Sequence, residues 1–545
     1  MNNIKANIVD VIQKQIFPAR IFFDTHIRQI EPLSEKIDDK YILPGLVDAH
    51  VHIESSMLPP SEFARVAVRH GTLAAVADPH EIANVLGIGG IDFMIADAAR
   101  IPFRFLFGAP SCVPATPFEA AGAILTDEDI DKLFQNGKCS YLSEMMNFPG
   151  VVHREANVMK KIAAAQKHGK TIDGHAPGLT GEALLNYVSA GISTDHECSA
   201  YEEAEEKIQS GMKILIREGS AAKNFDALYS LIDRYPDAVM LCTDDIHPDD
   251  LLCGHINSLI TKGIEKGLDL FSLLRAATFN PVKHYQIDLG LVQLNDSADF
   301  IIVDNLYDFK VQQCFSRGVC LYDRVGEEDA FSNFCEMPHS VYPNQFGATK
   351  ITASDIKVVS TSDKIKVIQI FDGELFTKQI LCDVPKGVPV NFDADSDILK
   401  IVVLNRYRPA KPAVAFVRGF GLRKGALVST VAHDSHHIVA VGCDDESLVK
   451  VINHIIAKKG GIAAYYENKL IDLTLDIAGL MSSAPAEDVA KAYDRINQAA
   501  FRMGSGLKSP LMTLSFMALL VIPELKLGDK GLFDVQKFEW TELFV

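Results

Sequence analysis

The sequence predicts an α/β protein whose largest part is a (β/α)8 barrel, and three observations support this fold class. First, eight short apolar runs in the first half of the chain each end in polar, mostly ionisable residues. Second, successive run ends lie roughly 20 to 35 residues apart, which suits one helix and two short loops per repeat. Third, the first run ends in His-x-His. Eight strand–helix units in a row are typical of this barrel, whose active site lies at the carboxyl ends of its strands.

The predicted barrel extends over residues 41–285, and its eight strands follow from the apolar runs. These runs cover residues 41–52, 72–81, 103–112, 140–146, 171–176, 191–197, 213–220 and 238–245. Strand-like alternation in residues 1–40 returns after the barrel, and such strands cannot bury themselves alone. We therefore expect residues 1–40 and 286–340 to form one small β-sandwich. Residues 341–545 combine strand-like runs with helical periodicity and predict a C-terminal α+β domain.

The composition of the 545-residue chain predicts a soluble globular protein, which we expect to be cytoplasmic. Its formal net charge of −18, without a basic cluster, argues against a nucleic-acid partner. The amino end lacks the layout of a secretory signal, and the apolar stretch at 511–522 is too short to span a bilayer, so we expect no membrane partner. Ten cysteines without C-x-x-C spacing favour reduced thiols.

The strand ends carry the residue types of a metal site. His50 and His52 lie two apart, so they share one face of a strand. His175, His196 and Asp244 end the fifth, sixth and eighth predicted strands. Imidazole nitrogens with one carboxylate suit a borderline divalent ion that keeps a position open for water.

Two further strand ends leave alternatives open. Glu144 ends the fourth strand and either bridges two metals or accepts a hydrogen bond behind the ligands, and we favour the bridge. Arg217 and Glu218 end the seventh strand, where they form either a structural ion pair or a contact to the substrate.

The barrel resembles the amidohydrolase superfamily, in which strand 1 supplies His-x-His, strand 4 a bridging Lys or Glu, strands 5 and 6 one His each, and strand 8 an Asp. Within that superfamily, nearly the whole chain resembles the bacterial adenine deaminases. The matching segments are His52-Ile53-Glu54-Ser55-Ser56-Met57, Asp78-Pro79-His80-Glu81-Ile82, Ser111-Cys112-Val113-Pro114-Ala115, Glu144-Met145-Met146, Gly174-His175-Ala176-Pro177-Gly178, Ile216-Arg217-Glu218-Gly219-Ser220-Ala221-Ala222, Leu241-Cys242-Thr243-Asp244-Asp245 and Ala432-His433-Asp434-Ser435-His436-His437. The metal pattern specifies only the superfamily, whereas Ile-Glu-Ser-Ser-Met and Asp-Pro-His-Glu are particular to adenine deaminases.

The resemblance implies metal-dependent hydrolysis of adenine to hypoxanthine and ammonia, with another aminated heterocycle or a cyclic amide as the alternative substrate. The implied metal ligands are His50, His52, Glu144, His175, His196 and Asp244. Many binuclear superfamily members use a carboxylated lysine at the position of Glu144. The glutamate is what adenine deaminases are expected to carry, so it strengthens the resemblance to them over the wider superfamily. We expect a binuclear centre with Mn(II) or Fe(II), or alternatively Zn(II), in a homo-oligomer.

Deamination needs a base that activates water and an acid that protonates the ring. Asp244 is placed to take the proton of water and to pass it to the leaving amino group. Candidates for the ring acid are Glu54, Asp78, His80 and Glu81, of which we rank the Asp78-Pro79-His80-Glu81 turn first because Pro79 stiffens it. Asp78 or Glu81 would alternatively cap the following helix. The substrate-binding candidates are Glu54, Ser55, Ser111, Arg217 and Glu218.

Other functions fit the sequence less well. A catalytically inactive scaffold would have lost His-x-His or Asp244, and both are intact. A nucleic-acid-editing deaminase would carry His-x-Glu with Pro-Cys-x-x-Cys, which this sequence lacks. His433, His436 and His437 indicate either a second metal site or a polar strand end that covers the substrate.

Overall fold

The computed structural model describes residues 1–220, 222–326, 328, 329, 342–391, 393 and 396–545. Ala221, in the motif of the seventh strand, and the predicted boundary between residues 340 and 341 lie outside these residues. The chain divides into two units. The first contains Met1–Pro79, Met94–Ser111 and Thr126–Met337; the second contains His80–Phe93, Cys112–Leu125 and Pro338–Val545. The predicted domain boundaries stay a prediction, although two segments of the barrel sequence belong to the second unit.

The predicted α/β barrel is confirmed, and each of its strands lies inside its predicted apolar run. The strands are β5 (Leu46–Val51), β6 (Thr72–Ala77), β7 (Arg104–Ala109), β8 (Tyr141–Met145), β9 (Ile172–Gly174), β10 (Thr194–Asp195), β11 (Lys213–Arg217) and β12 (Val239–Cys242). They form two parallel sheets, β5-β6-β7-β8-β9 and β10-β11-β12. The sheets join where the Ser193 N–H donates to the Ile172 carbonyl and where the Asp244 N–H donates to the His50 carbonyl, both at 2.9 Å.

The run at 41–52 is two strands, not one. Its first part, β4 (Tyr41–Pro44), pairs outside the barrel, and its second part is the barrel strand β5. The break falls at Gly45, where an added Cβ would lie 2.4 Å from Cδ1 of Leu73. Glycine therefore leaves room for the Leu73 side chain at the point where the chain passes from one sheet to the other.

Helices follow most of the barrel strands along the chain. They are α1 (Pro60–Arg69), α2 (His80–Leu86), α3 (Ile88–Ala98), α4 (Asp127–Gln135), α5 (Phe148–Val152), α6 (Ala156–Lys167), α7 (Gly181–Ser189), α8 (Tyr201–Gln209), α9 (Phe225–Leu228), α10 (Leu231–Arg234), α11 (Pro248–Cys253), α12 (Ile256–Glu265), α13 (Leu270–Ala277) and α14 (Phe279–Tyr285). No helix in the described residues is long and apolar enough to cross a membrane.

Strands from both flanks of the barrel pair in one eight-stranded sheet. Besides β4, its strands are β1 (Asn2–Asp10), β2 (Gln15–Phe23), β3 (Ile27–Pro32), β13 (Phe300–Val303), β14 (Val311–Ser316), β15 (Val319–Asp323) and β16 (Glu328–Asp329). Their order is β16-β15-β14-β13-β4-β1-β2-β3. Phe23, Phe300 and Phe315 pack together, with ring centroids 4.7 to 5.6 Å apart. This aromatic cluster joins the two flanks, which lie about 270 residues apart in sequence.

The second unit contains another eight-stranded sheet, in the order β18-β17-β20-β19-β22-β21-β23-β24. Its strands are β17 (Lys364–Gln369), β18 (Lys378–Asp383), β19 (Ile398–Leu404), β20 (Ala413–Arg418), β21 (Ala426–Ser429), β22 (Ile438–Gly442), β23 (Gly461–Tyr466) and β24 (Lys469–Thr474). The remaining elements are α15 (Asp445–Lys458), α16 (Ala486–Met503), α17 (Pro510–Ser515), β25 (Leu525–Gly528), β26 (Gly531–Asp534) and β27 (Glu539–Thr541). The apolar face of α15, including Val451 and Ile455, packs on Val428 and Ala440 of the sheet.

Candidate metal centre

Three ligand candidates converge where β5 and β12 end. His50 lies on β5 and His52 directly follows it, and their Nε2 atoms are 3.3 Å apart. Asp244 lies two residues beyond β12, and its Oδ1 atom is 3.2 Å from His52 Nε2 and 3.5 Å from His50 Nε2. We call His50, His52 and Asp244 the first cluster.

Three more candidates converge at the neighbouring strand ends. The Glu144 Oε2 atom lies 2.8 Å from His175 Nδ1 and 3.2 Å from His196 Nε2. We call Glu144, His175 and His196 the second cluster. The other carboxylate oxygen of Glu144, Oε1, lies 3.6 Å from Nε2 of His52. The single carboxylate of Glu144 therefore faces both clusters.

Both clusters fit a divalent metal by chemistry, and the first cluster also fits one by spacing. Two ligand atoms bound tetrahedrally to one metal at 2.0–2.1 Å lie about 3.4 Å apart. The distances within the first cluster, from 3.2 to 3.5 Å, match that spacing. Four imidazoles and two carboxylates suit borderline divalent ions, and five of these six side chains are buried. The sixth, His175, is partly exposed.

Electrostatics keep both carboxylates charged. Burial alone would raise the pKa of Glu144, but the His175 and His196 imidazoles outweigh it and hold that pKa well below its usual range. Burial likewise opposes ionisation of Asp244, but the Arg217 guanidinium outweighs it and lowers the pKa of this carboxyl. Both side chains are therefore anionic at neutral pH, the form that binds a metal.

A backbone contact selects the tautomer of His52. Its Nδ1 atom lies 3.2 Å from the carbonyl oxygen of Asp78, which can only accept a hydrogen bond. Nδ1 therefore carries a proton, and Nε2 is the ring nitrogen that faces the first cluster. This is the usual arrangement behind a metal-binding histidine.

Arg217 contacts both Asp244, the predicted base, and Glu197. Its Nη1 atom donates to Glu197 Oε1 and, at 2.6 Å, to Asp244 Oδ2. Glu197 Oε1 in turn lies 3.4 Å from His196 Nε2. Arg217 thus forms a buried ion-pair network with Glu197 and Asp244. Its neighbour Glu218 pairs instead with Lys262, at 3.1 Å.

Two residues of the site were missed by the sequence reasoning. Glu197 directly follows the ligand candidate His196, and Asp245 directly follows the candidate Asp244. Their positions next to ligands were the available signal, but a carboxylate beside a histidine is common. Asp245 accepts a hydrogen bond from the Ser55 hydroxyl at 2.5 Å.

The structure places the remaining predicted residues of the first unit near these strand ends. Glu54 and Ser55 are buried in a short 3-10 turn directly after His52. The Ser111 hydroxyl donates to the backbone carbonyl of Glu144. Asp78 is fully buried, and its N–H donates to the Val51 carbonyl.

His80 and Glu81 lie in the second unit and meet the histidine run there. The His433 Nδ1 and His436 Nε2 atoms each contact one carboxylate oxygen of Glu81. Burial lowers the pKa of His436 to about 4, so this imidazole is neutral at pH 7. Its Nδ1 accepts from the Ala432 N–H, so its Nε2 donates to Glu81. His437 contacts a different carboxylate and lies 3.8 Å from Asp529.

Comparisons with known proteins agree on one family. Residues 41–321 match the Amidohydrolase family, and residues 374–539 match the Adenine deaminase C-terminal domain. An adenine deaminase of Methanosarcina mazei is 52% identical over an alignment of 562 residues, gaps included, which covers 100% of both chains. An adenine deaminase of Salinibacter ruber is 49% identical over 548 residues, which cover 100% of this chain and 99% of that protein.

A solved structure, the N-acetyl-D-glucosamine-6-phosphate deacetylase from Mycobacterium smegmatis, aligns with a TM-score of 0.46. It is 11% identical, and the alignment covers 59% of this chain and 100% of that chain.

Proposed function

This chain belongs to the adenine deaminases of the amidohydrolase family, and from that premise we propose how its residues perform the reaction. The enzyme hydrolyses a small-molecule substrate, adenine, to hypoxanthine and ammonia. It is a metal-dependent hydrolase, as its family and its cluster of His, Asp and Glu side chains indicate.

We propose that the centre is binuclear, and the position of Glu144 carries this proposal. His50, His52 and Asp244 would hold one ion, and His175 and His196 the other. Glu144 would bridge them because its two oxygens face different clusters. Mn(II) or Fe(II) is favoured and Zn(II) is the alternative. When bound, such an ion lowers the pKa of water from 15.7 to about 7 and so supplies a nucleophile at neutral pH.

Asp244 is proposed as the group that moves the proton. It would take a proton from the attacking water and deliver it to the amino group of adenine, which leaves as ammonia. Arg217 orients this carboxylate, because its guanidinium donates to Oδ2 and leaves Oδ1 facing the first cluster. Arg217 therefore acts by holding the Asp244 carboxylate in place, while a contact of Arg217 to the substrate stays a prediction.

The acid that protonates the ring is proposed to come from the Asp78-Pro79-His80-Glu81 turn, with Glu54 as the other candidate. Asp78 lies at the end of β6 and supplies the carbonyl that orients His52. Ser55, Ser111 and Glu218 stay predicted contacts to adenine. The homo-oligomeric state and the cytoplasmic location also stay predictions.

The experiment is the ultraviolet absorbance of adenine incubated with the enzyme and Mn(II), with ammonia measured in parallel. The wild type is expected to form hypoxanthine and ammonia in equal amounts. Asp244→Asn is expected to lower kcat/KM by at least about 100-fold, the scale of general acid–base catalysis. The control is Asp226→Asn, since Asp226 is an exposed carboxylate that pairs with Lys262. Unchanged turnover by Asp244→Asn would contradict the proposed role.

A further inference from the structure

One lysine of the barrel is completely buried and has no role in the reaction described above. Lys207 lies on α8, and its Nζ atom donates to three acceptors. These are the Ala176 carbonyl at 2.6 Å, Asp195 Oδ2 at 2.7 Å and Glu203 Oε1 at 2.6 Å. An ammonium group has three N–H donors, so each has a partner.

The acceptors of Lys207 lie next to two metal-ligand candidates on different strands. Ala176 directly follows His175, and Asp195 directly precedes His196. The Ala176 N–H also donates to Asp195 Oδ1 at 2.9 Å. Both the carbonyl and the N–H of Ala176 are therefore held, and one ammonium connects the segment after β9 with the end of β10.

Glu203 extends the same network. Its Oε1 accepts from the Gly178 N–H at 2.8 Å as well as from Lys207. The Asp195 and Glu203 carboxylates contact the same nitrogen, so without Lys207 two buried anions would face each other. Removing one member of such a buried group leaves an uncompensated charge, which strongly destabilises the local arrangement.

We propose that Lys207 is a positioning residue that holds His175 and His196 in the geometry that binds the second metal ion. It contacts neither imidazole and acts through Ala176 and Asp195. This inference rests on the proposed binuclear centre and names a residue that determines the metal affinity of its second cluster. Partners behind metal ligands typically contribute 10- to 100-fold to metal affinity.

The test is a titration of the metal-free enzyme with Co(II), followed by its visible absorption and by competition with a chromophoric chelator. Lys207→Met is expected to bind one equivalent as tightly as the wild type and the second about 10- to 100-fold more weakly, with an altered Co(II) spectrum. The matched control is Lys526→Met. Lys526 is a buried lysine of the second unit whose Nζ donates to the Leu375 and Phe516 carbonyls.

A lower Tm of Lys207→Met with unchanged Co(II) binding would overturn the proposal. If Lys207→Met binds both Co(II) equivalents like the wild type, Lys207 is merely structural, whatever its Tm. If the wild type itself binds only one equivalent, the binuclear centre fails, and this inference fails with it. Should Lys207→Met not fold, Asp195→Asn is the second variant, because it removes the carboxylate through which Lys207 reaches the end of β10 and keeps the Lys207–Glu203 pair. That variant is expected to weaken the second equivalent, and unchanged affinity would overturn the proposal.

Discussion

At the scale of single residues, neighbouring groups orient the ligand candidate His52 and the proposed base Asp244. The Asp78 carbonyl determines which nitrogen of His52 carries the proton, and Arg217 determines which oxygen of Asp244 faces the metal ligands. Each contact removes a rotational or tautomeric alternative before substrate arrives. Such preorganisation is a main source of catalytic rate enhancement.

Replacing Arg217 by Gln is expected to lower kcat/KM for adenine by at least about 10-fold. Asp244 would lose a charge-assisted hydrogen bond, and Glu197 would become a buried anion without its cation. The measurement is adenine turnover at saturating Mn(II). Arg28→Gln is the control because Arg28 forms an exposed ion pair with Asp24. A kcat/KM equal to that of the wild type would show that Asp244 does not depend on this contact.

Glu119 gives the stability of the second unit a pH dependence. Burial raises its pKa to about 8, opposed by the hydrogen bond from Ser435 and reinforced by the nearby Asp434 and Asp529 carboxylates. Because the folded pKa lies above the usual value near 4.5, the stabilisation is complete below pH 4.5 and is lost as the pH rises through about 8.

Glu119→Gln mimics the protonated acid and is expected to abolish this dependence. Between pH 6 and pH 9 the Tm of the wild type should fall further than that of the variant, measured by circular dichroism. Glu446→Gln, at an exposed glutamate, provides the control. An equal decrease of Tm in the wild type and Glu119→Gln would show that Glu119 is already ionised in the folded protein.

The metal-ligand candidates were predictable from sequence, whereas the residues that orient them were not. His50, His52 and Asp244 end apolar runs, and the barrel brings such ends together. The pairing of Glu197 with Arg217 joins residues 20 apart, and a local pattern does not reveal which carboxylate a buried arginine selects. These contacts depend on how the strand ends meet in three dimensions.

At the scale of elements, helix α7 ties two strand ends together through one hydroxyl group. The Tyr187 hydroxyl accepts from the His175 N–H and donates to the Met145 carbonyl, both at 3.1 Å. Met145 directly follows Glu144, so this tyrosine lies behind two residues of the second cluster. These two hydrogen bonds also explain why the completely buried Tyr187 side chain carries a hydroxyl group.

Tyr187→Phe is expected to lower the free energy of unfolding by about 1 to 3 kcal/mol, because two buried backbone groups lose a hydrogen-bond partner. The measurement is urea unfolding of the metal-free protein. Tyr201→Phe is the control, since Tyr201 donates only to Glu205 near the surface. A loss no larger than that of Tyr201→Phe would mean that water or another group replaces the hydroxyl.

Sequence patterns predicted which barrel strands exist better than where they end. All eight apolar runs contain a strand, but β10 has only the two residues Thr194–Asp195 within a run of seven. Residue types do not reveal which backbone groups pair in the sheet, and buried residues such as Ile192 and His196 extend the run on both sides of the paired residues. The division of residues 41–52 at Gly45 was hidden for the same reason, since both halves are apolar.

At the scale of the whole molecule, the second unit includes two segments inserted in the barrel sequence. These segments are His80–Phe93 and Cys112–Leu125. In the second segment, Phe118 packs on Phe533, with ring centroids 5.0 Å apart. In the first segment, the Glu81 carboxylate contacts His433 and His436. Both segments therefore depend on residues that lie more than 300 positions later in the chain.

A chain that ends after residue 326 is expected to aggregate and to lack adenine deaminase activity. The residues that cover these two segments would be missing, so Phe118 would lose its aromatic partner, Glu81 would lose its two imidazoles, and apolar surface would be exposed. Size-exclusion chromatography with light scattering measures this outcome. A monodisperse, active fragment would contradict the dependence of these segments on the rest of the second unit.

The central claim, that Glu144 joins two metal clusters, is tested most directly by counting metal ions. Metal-free enzyme is titrated with Mn(II), and bound metal per chain is measured by mass spectrometry alongside adenine turnover. We expect two ions per chain for the wild type, with full activity only after the second equivalent, and impaired binding of at least one ion by Glu144→Ala. One ion per chain with full activity would contradict the binuclear centre and leave Glu144 as a hydrogen-bond acceptor behind a single metal.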